Sequence, residues 1–322
     1  MPSTAGDLLV IGGAEDKLGK RRVLEEFVTR AGGPEARIAV IATASSLGPE
    51  IVEVYEALFT RLGAAEVFGV RPEDRAQAAV PEYVEALRRA TGIFMTGGNQ
   101  LKLSTVIAGT PFGEEIIAAR ERGVTIAGTS AGASIQSSHM VAFGPPGATP
   151  KQRMTQVAAG LGLVQNCVID QHFAQRNRYG RLLMIVSQSP QLLGMGVDED
   201  TAAVISRHDD GERCTERLSV VGRGSVTIFD GSQMVTNAHV AKERRPILAS
   251  GVVLHVLPDG AEFDLTTREL VRGEAEIDPG DASELASANR DLRKMARDIA
   301  AGDVSPGTLR RRIARRTRGA AQ

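Results

Sequence analysis

The sequence predicts a three-layer α/β fold, a mostly parallel sheet between helices that carries an antiparallel extension. Three observations predict it. Short apolar runs alternate with segments of helical periodicity over the first two-thirds of the chain. Glycine-bearing loops follow several of those runs, at the strand ends where ligands gather in such sheets. Beyond about Gly194 the helical pattern gives way to short strands separated by turn residues.

Leu8-Leu9-Val10-Ile11 reads as the first strand, and Gly12-Gly13-Ala14-Glu15-Asp16 as the loop at its C-terminal end. A helix is expected over residues 21–31 and a strand over 37–42. The next helix, over 50–61, sets Val52, Tyr55, Leu58 and Leu62 at helical spacing. A strand over 66–70, a helix over 81–90 and a strand over 92–95 follow. Thr96-Gly97-Gly98-Asn99-Gln100 then turns the chain, with Asn99 suited to cap the helix after it. The run over 124–127 leads into Gly128-Thr129-Ser130-Ala131-Gly132. Such alternation implies βαβ units with helices on both faces of the sheet, a flavodoxin-like sandwich. Strands over 195–197, 202–206, 218–222, 225–230 and 251–257 read as an antiparallel extension of that same sheet. The α/β domain is assigned to residues 1–277 and a charged extension to 278–322. The extension is expected to form a helix over 283–301 and then a tail, in which residues 308–322 hold six arginines and no acid. The tail reads as solvated chain; the alternative is a patch for an acidic partner.

A chain of 322 residues can bury a sizeable core. Its net charge of −1, from 38 basic against 39 acidic residues, gives no field for nucleic acid or a membrane surface. Aromatic residues are 4% and tryptophan is absent, which argues against stacking platforms for bases or sugars. Cys167 and Cys214 have neither disulfide-framework nor metal-ligand spacing, so a reduced, cytoplasmic setting without metal or cofactor is expected. The N-terminal residues lack the basic start and apolar core of a secretion signal, and no run reaches the length of a membrane span.

The chemistry centres on Ser130. A Gly-x-Ser-x-Gly turn between a strand and a helix is a nucleophile elbow, which lifts the hydroxyl clear of the sheet. The following helix aims backbone N–H groups and a positive dipole end at that position. Gly97 and Gly98, on the loop of a neighbouring strand, let backbone amides approach the same point. With the N–H of Ala131 they would form an oxyanion hole, where one donor is typically worth about 3 kcal/mol.

A serine needs a base, and the base needs an orienting acid. Of the five histidines, His139 lies on or just past the elbow helix, His208 and His239 sit in turn-like contexts, and His255 alternates within a strand. His172 differs, because it follows the strand over 164–169 at the edge where ligands gather. No Asp or Glu occurs between Ser130 and Asp170. Asp170 itself would crowd the imidazole from two residues away. Glu199 closes another strand and is the favoured acid, with Asp198 and Asp200 as alternatives.

Four segments together resemble the cyanophycinase family. They are Gly97-Gly98-Asn99-Gln100, Gly128-Thr129-Ser130-Ala131-Gly132-Ala133, Asp170-Gln171-His172-Phe173 followed by Arg176, Arg178 and Arg181, and Val197-Asp198-Glu199-Asp200-Thr201-Ala202. The resemblance runs in order from about Asp7 to Val271. It implies the fold of peptidase E and the class I glutamine amidotransferases. It also implies a homodimer and a serine exopeptidase for cyanophycin, a poly-aspartate with an arginine on each β-carboxyl, released as β-Asp-Arg. Carried over by motif, Ser130 would be nucleophile, His172 base and Glu199 acid. Gln100, Asp170, Gln171, Arg176, Arg178 and Arg181 would hold substrate. Peptidase E places its relay acid between serine and histidine, where this chain has none.

The polymer bears a guanidinium and a carboxylate at every repeat. Gln100, Asp170 and Gln171 suit the first, and Arg176, Arg178 and Arg181 the second. Two other readings remain at this point: a peptidase E-like aspartyl dipeptidase, and a non-catalytic binding protein on the same fold.

Overall fold

The computed structural model describes residues 5–209, 211 and 213–272. Its first half runs β1 (Leu8–Ile11), α1 (Arg22–Arg30), β2 (Arg37–Ile41), α2 (Glu50–Arg61), β3 (Glu66–Val70), α3 (Pro81–Arg88), β4 (Gly92–Met95), α4 (Gln100–Ile107), α5 (Pro111–Glu121), β5 (Thr125–Thr129) and α6 (Ala131–Ser134). Then come β6 (His139–Phe143), β7 (Gln156–Ala159), β8 (Cys167–Gln171), α7 (Tyr179–Gln188) and β9 (Leu193–Val197). The rest is strand: β10 (Thr201–Asp209), β11 (Cys214–Gly222), β12 (Ser225–Asp230), β13 (Val235–Thr236), β14 (Ala249–Ser250), β15 (Val253–Pro258), β16 (Glu262–Asp264) and β17 (Glu269–Arg272).

The main sheet has nine strands in the order β17-β16-β11-β10-β1-β5-β4-β2-β3. Strands β1 to β5 are mutually parallel, and β10 joins β1 antiparallel to begin the extension. This matches the expected α/β class. The apolar residues of β1, β2 and β4 divide by parity, as the period of a strand requires. Leu9, Ile11, Ile38, Val40 and Phe94 face α1 and α2, where Phe27, Tyr55 and Phe59 close over them. Leu8, Val10, Ala39, Ile41, Ile93 and Met95 face α3, α5 and a second sheet. All eleven of these strand residues are fully buried, each large one worth about 1.5–3 kcal/mol of transfer free energy.

One expectation is corrected. Residues 195–197, 225–230 and 251–257 do not extend the main sheet. They fall on β9, β12 and, from Val253 onward, β15, which with β8 form a second sheet of four strands ordered β15-β12-β9-β8. The strand that precedes His172 belongs to this second sheet also, with β8 parallel to β9. Alternation identifies a strand but not its partner. Here Met195, Val197, Val226 and Ile228 are drawn onto the face of the main sheet, while Val168 and Phe229 bury their side against α7.

The two sheets meet where it matters. The C-terminal ends of β8 and β9 abut those of β1 and β5. The His172 amide donates to Gly12 O at 2.7 Å, and the Asp200 amide to Gly13 O at 2.9 Å. The helix expected over 283–301, the arginine-rich tail and the boundary at residue 277 lie outside the described residues. Cys167 is buried and Cys214 exposed, both as free thiols. Among the described residues no helix is long and apolar enough to cross a membrane.

Candidate active site

Ser130 sits between β5 and α6 with φ 52° and ψ −105°. A positive φ at a residue with a Cβ is strained, at a cost of roughly 1–3 kcal/mol. The flanking glycines make the turn possible through close packing. A Cβ on Gly128 would lie 2.0 Å from Gly132 O, and one on Gly132 would lie 2.2 Å from Met95 O. Strand β5, helix α6 and strand β4 are therefore held at a spacing only glycine permits, and Ser130 is left half-buried at their junction.

Beneath the elbow lies a residue the sequence reading passed over. Thr129 donates its hydroxyl to Glu15 Oε2 at 2.5 Å, and Glu15 Oε1 accepts from Tyr55 at 2.5 Å and Lys17 at 2.7 Å. Burial raises the Glu15 pKa, but the Lys17 charge and the three donors outweigh it and hold the carboxyl below its ordinary 4.5. The same carboxylate pushes the Tyr55 phenol up, adding to its burial. A glutamate in a glycine-rich loop carries no spacing that would have announced this clamp.

His172 Nε2 stands 3.1 Å from Ser130 Oγ, and His172 Nδ1 stands 2.6 Å from Glu199 Oε1. The Nδ1 contact sets the tautomer, leaving Nε2 to accept from the hydroxyl. Burial lowers the His172 pKa below 6.5; the Glu199 hydrogen bond pulls it up, and the charges of Arg176 and Arg178 push it down again. Gly13 lies flat against the ring. At φ 97°, a Cβ there would be 2.3 Å from His172 Cε1.

The two alternative acids are engaged elsewhere. Asp198 accepts from the Ala174 amide at 3.0 Å and from Ser225 N and Oγ at 3.1 and 3.0 Å. Asp200 accepts from the Asp16 amide at 2.8 Å. Of the other histidines, His139 opens β6 rather than extending α6, which is only four residues long, and His255 packs on Phe263 at 4.7 Å.

The residues assigned to substrate divide. Asp170 is 0% exposed and Arg181 is 3% exposed, and the two face each other. Arg181 Nε donates to Asp170 Oδ2 at 2.6 Å, its Nη2 bonds Asp170 Oδ1, and its Nη1 reaches Gly144 O at 2.9 Å. Asp170 and Arg181 thus form a buried pair under the cleft, in which the buried carboxylate is compensated where it stands. Arg178 Nη1 adds contacts to Asp170 Oδ1 at 3.2 Å and Gln171 Oε1 at 2.7 Å. Desolvation brings its pKa down to about 10. Gln171 Nε2 donates to Gln100 Oε1 at 3.3 Å, and Gln100 Nε2 to Ala142 O at 3.1 Å. Arg176 is exposed and has no ion pair among the described residues.

Gly97 and Gly98 run beside Ser130. A Cβ on Gly97 would be 3.4 Å from Ser130 Cβ. Gly98, at φ 144°, is pinned with its α-carbon against Ala44 O, where the Asn99 amide also donates at 2.8 Å. Asn99 caps α4 as expected, accepting from the Lys102 amide at 3.0 Å.

The family model described as peptidase family S51 matches residues 8–211. The chain belongs to peptidase family S51. It is 39% identical to the cyanophycinase of Geminocystis herdmanii over 268 residues, covering 83% of this chain and 96% of that one. It is 40% identical to the cyanophycinase of Nostoc sp. over 272 residues, covering 84% and 89%. A solved peptidase from an acI-B1 Actinobacterium shares the fold, with a TM-score of 0.55 and 22% identity over 78% of this chain and 97% of its own. For a peptidase of family S51, the aligned hydroxyl, imidazole and carboxylate form a relay able to move a proton off Ser130 and onto a leaving amine. Among the described residues no group of three or more His, Cys, Asp or Glu could hold a metal ion.

Proposed function

We propose that this peptidase is a serine exopeptidase that removes β-Asp-Arg dipeptides from cyanophycin in the cytoplasm. The observation that carries the proposal is the continuous line of contacts from Glu199 through His172 to Ser130. Its likeness to proteins named cyanophycinase supplies the substrate.

In this reading His172 Nε2 takes the Ser130 proton as Oγ attacks the scissile carbonyl. The C–N bond breaks as the same proton passes to the leaving amine, and water, deprotonated by His172, then hydrolyses the acyl-enzyme. Glu199 stabilises the imidazolium formed in each half. The amides of Gly98 and Ala131, with Gly97 shaping the wall, receive the oxyanion. Arg176 and the outer arm of Arg178 take the substrate carboxylate, and Gln100 and Gln171 offer amide contacts to the branch. The buried Asp170–Arg181 pair fixes the floor from which Arg178 and Gln171 project.

A homodimer belongs to the same proposal. Val253, Leu254 and Val256, exposed on the edge strand β15, offer an apolar surface for it, and light scattering reads the mass. The activity test is incubation with insoluble cyanophycin and mass analysis of the supernatant. Soluble β-Asp-Arg is expected; its absence, with cleavage of short α-aspartyl dipeptides, would assign the peptidase to that smaller substrate instead.

A further inference from the structure

Beside the cleft lies a cavity of about 550 Å³ that no step above uses, lined in part by Pro145, Pro146, Thr149, Lys151, Arg153 and Arg244. Its charged lining residues are all cations, and none of the three has an ion pair among the described residues. Two short backbone contacts build it. The Arg244 amide donates to Gln152 O at 2.9 Å, and the Gln152 amide to Arg245 O at 2.9 Å. Arg153 and Arg244 adopt φ of 57° and 61° there. A left-handed backbone is unfavourable for a residue with a side chain, so both arginines are held at the cavity against local preference. Three unpaired cations at one concave site repel one another, and an anion relieves that repulsion.

The cavity is joined to the segment that follows His172. The Gly147 amide donates to Asn177 O at 2.7 Å, and Gly147 O accepts from the Gly180 amide at 2.8 Å. Arg181 reaches Gly144 O at 2.9 Å from the same side. Arg176 and Arg178 are thus on a turn that forms one unit with the cavity wall, so a chain leaving the cleft past them meets Lys151, Arg153 and Arg244 next.

We infer that this cavity is a second substrate subsite, which binds the branch carboxylate of a polymer repeat adjacent to the one being cut. The inference rests on the proposed activity. Its chemistry fits a repeat whose branch carries a free carboxylate at the base of an aliphatic stem, with the guanidinium at the far end of that stem reaching past the cations into solvent. Lys151, Arg153 and Arg244 pair with the carboxylate, and Pro145, Pro146 and Met154 pack on the stem. The subsite would make the peptidase prefer long chains to short ones, because an extra contact counts only for substrates that reach it.

The test compares kcat/KM on the polymer with that on the shortest repeat oligomer cleaved. In the triple variant Lys151→Gln, Arg153→Gln, Arg244→Gln the polymer-to-oligomer ratio should fall about tenfold, as loss of charge-assisted contacts implies. The triple variant Lys151→Arg, Arg153→Lys, Arg244→Lys should keep it. Added salt should lower the ratio in the wild type and leave the neutral variant unmoved. A ratio unchanged by the neutral substitutions overturns the subsite. If the wild type releases no β-Asp-Arg, the proposed activity fails instead. Co-sedimentation with the insoluble polymer then reads the subsite alone, and equal binding by wild type and neutral variant overturns it.

Discussion

His172 and Glu199, 27 residues apart, meet at 2.6 Å because each stands just beyond the end of one of two adjacent parallel strands. Strands β8 and β9 run side by side and stop at Gln171 and Val197, so the loops after them bring imidazole and carboxylate together. Glu199→Gln keeps the shape of that contact and removes the charge that stabilises imidazolium. The expected loss is on the order of 10²- to 10⁴-fold in kcat. The Glu199 side chain is 35% exposed and its backbone is held independently, so the melting temperature should stay near wild type. Full activity in this variant would remove Glu199 from the relay.

The pH profile follows from the surroundings of the base. Burial, together with the charges of Arg176 and Arg178, holds the His172 pKa below 6.5 despite the pull of Glu199. Since only neutral imidazole can accept the Ser130 proton, the acid limb of kcat/KM should lie below pH 6.5. Arg176→Gln removes one repelling cation and should move that limb upward, toward higher pH. A limb that stays still, or moves down, would show that Arg176 does not act on the base.

Gly13→Ala should damage the reaction without touching a relay residue. The new methyl would sit 2.3 Å from His172 Cε1, so the ring must tilt away from Ser130 Oγ. Hydrogen-bond alignment at Nε2 is lost over such a shift, and a drop in kcat of about 10²-fold is expected with KM little changed. Wild-type kcat in this variant would mean the ring has slack that the packing denies.

The parts of the site that were legible in the sequence are those tied to strand ends. Ser130, His172 and Glu199 each follow an apolar run, and an acid-free stretch after Ser130 left Glu199 in view. Which of the three acids faces the ring was not legible, because they lie in a turn beyond β9 where Asp200 takes φ 50° and strand alternation no longer applies; there Asp198 and Asp200 face backbone amides and Glu199 faces the ring. Pairing between strands was not legible in alternation: β8, β9, β12 and β15 form a second sheet rather than the single sheet expected. Nor was burial: Asp170 and Arg181 show the charges a substrate pocket would need, and only packing reveals that they satisfy each other. Glu15 escaped because its partners, Thr129 and Tyr55, lie 114 and 40 residues away.

The Asp170–Arg181 pair yields a prediction about stability that separates it from the substrate contacts. Asp170 is fully buried and accepts from two arginines, one of them bidentate. Removing one partner of a buried pair leaves the other charge uncompensated, at about 3–5 kcal/mol. Asp170→Ala should therefore lower the melting temperature by roughly 5–15 °C. Replacing both groups, in Asp170→Leu with Arg181→Met, should recover much of that loss, because no unpaired buried charge remains except the milder demand of Arg178, which keeps its bonds to Gln171. A substrate-binding Asp170 would behave differently: Asp170→Ala would raise KM and leave the melting temperature alone. Thermal unfolding of the single and double variants, measured beside KM on the polymer, decides between the two roles.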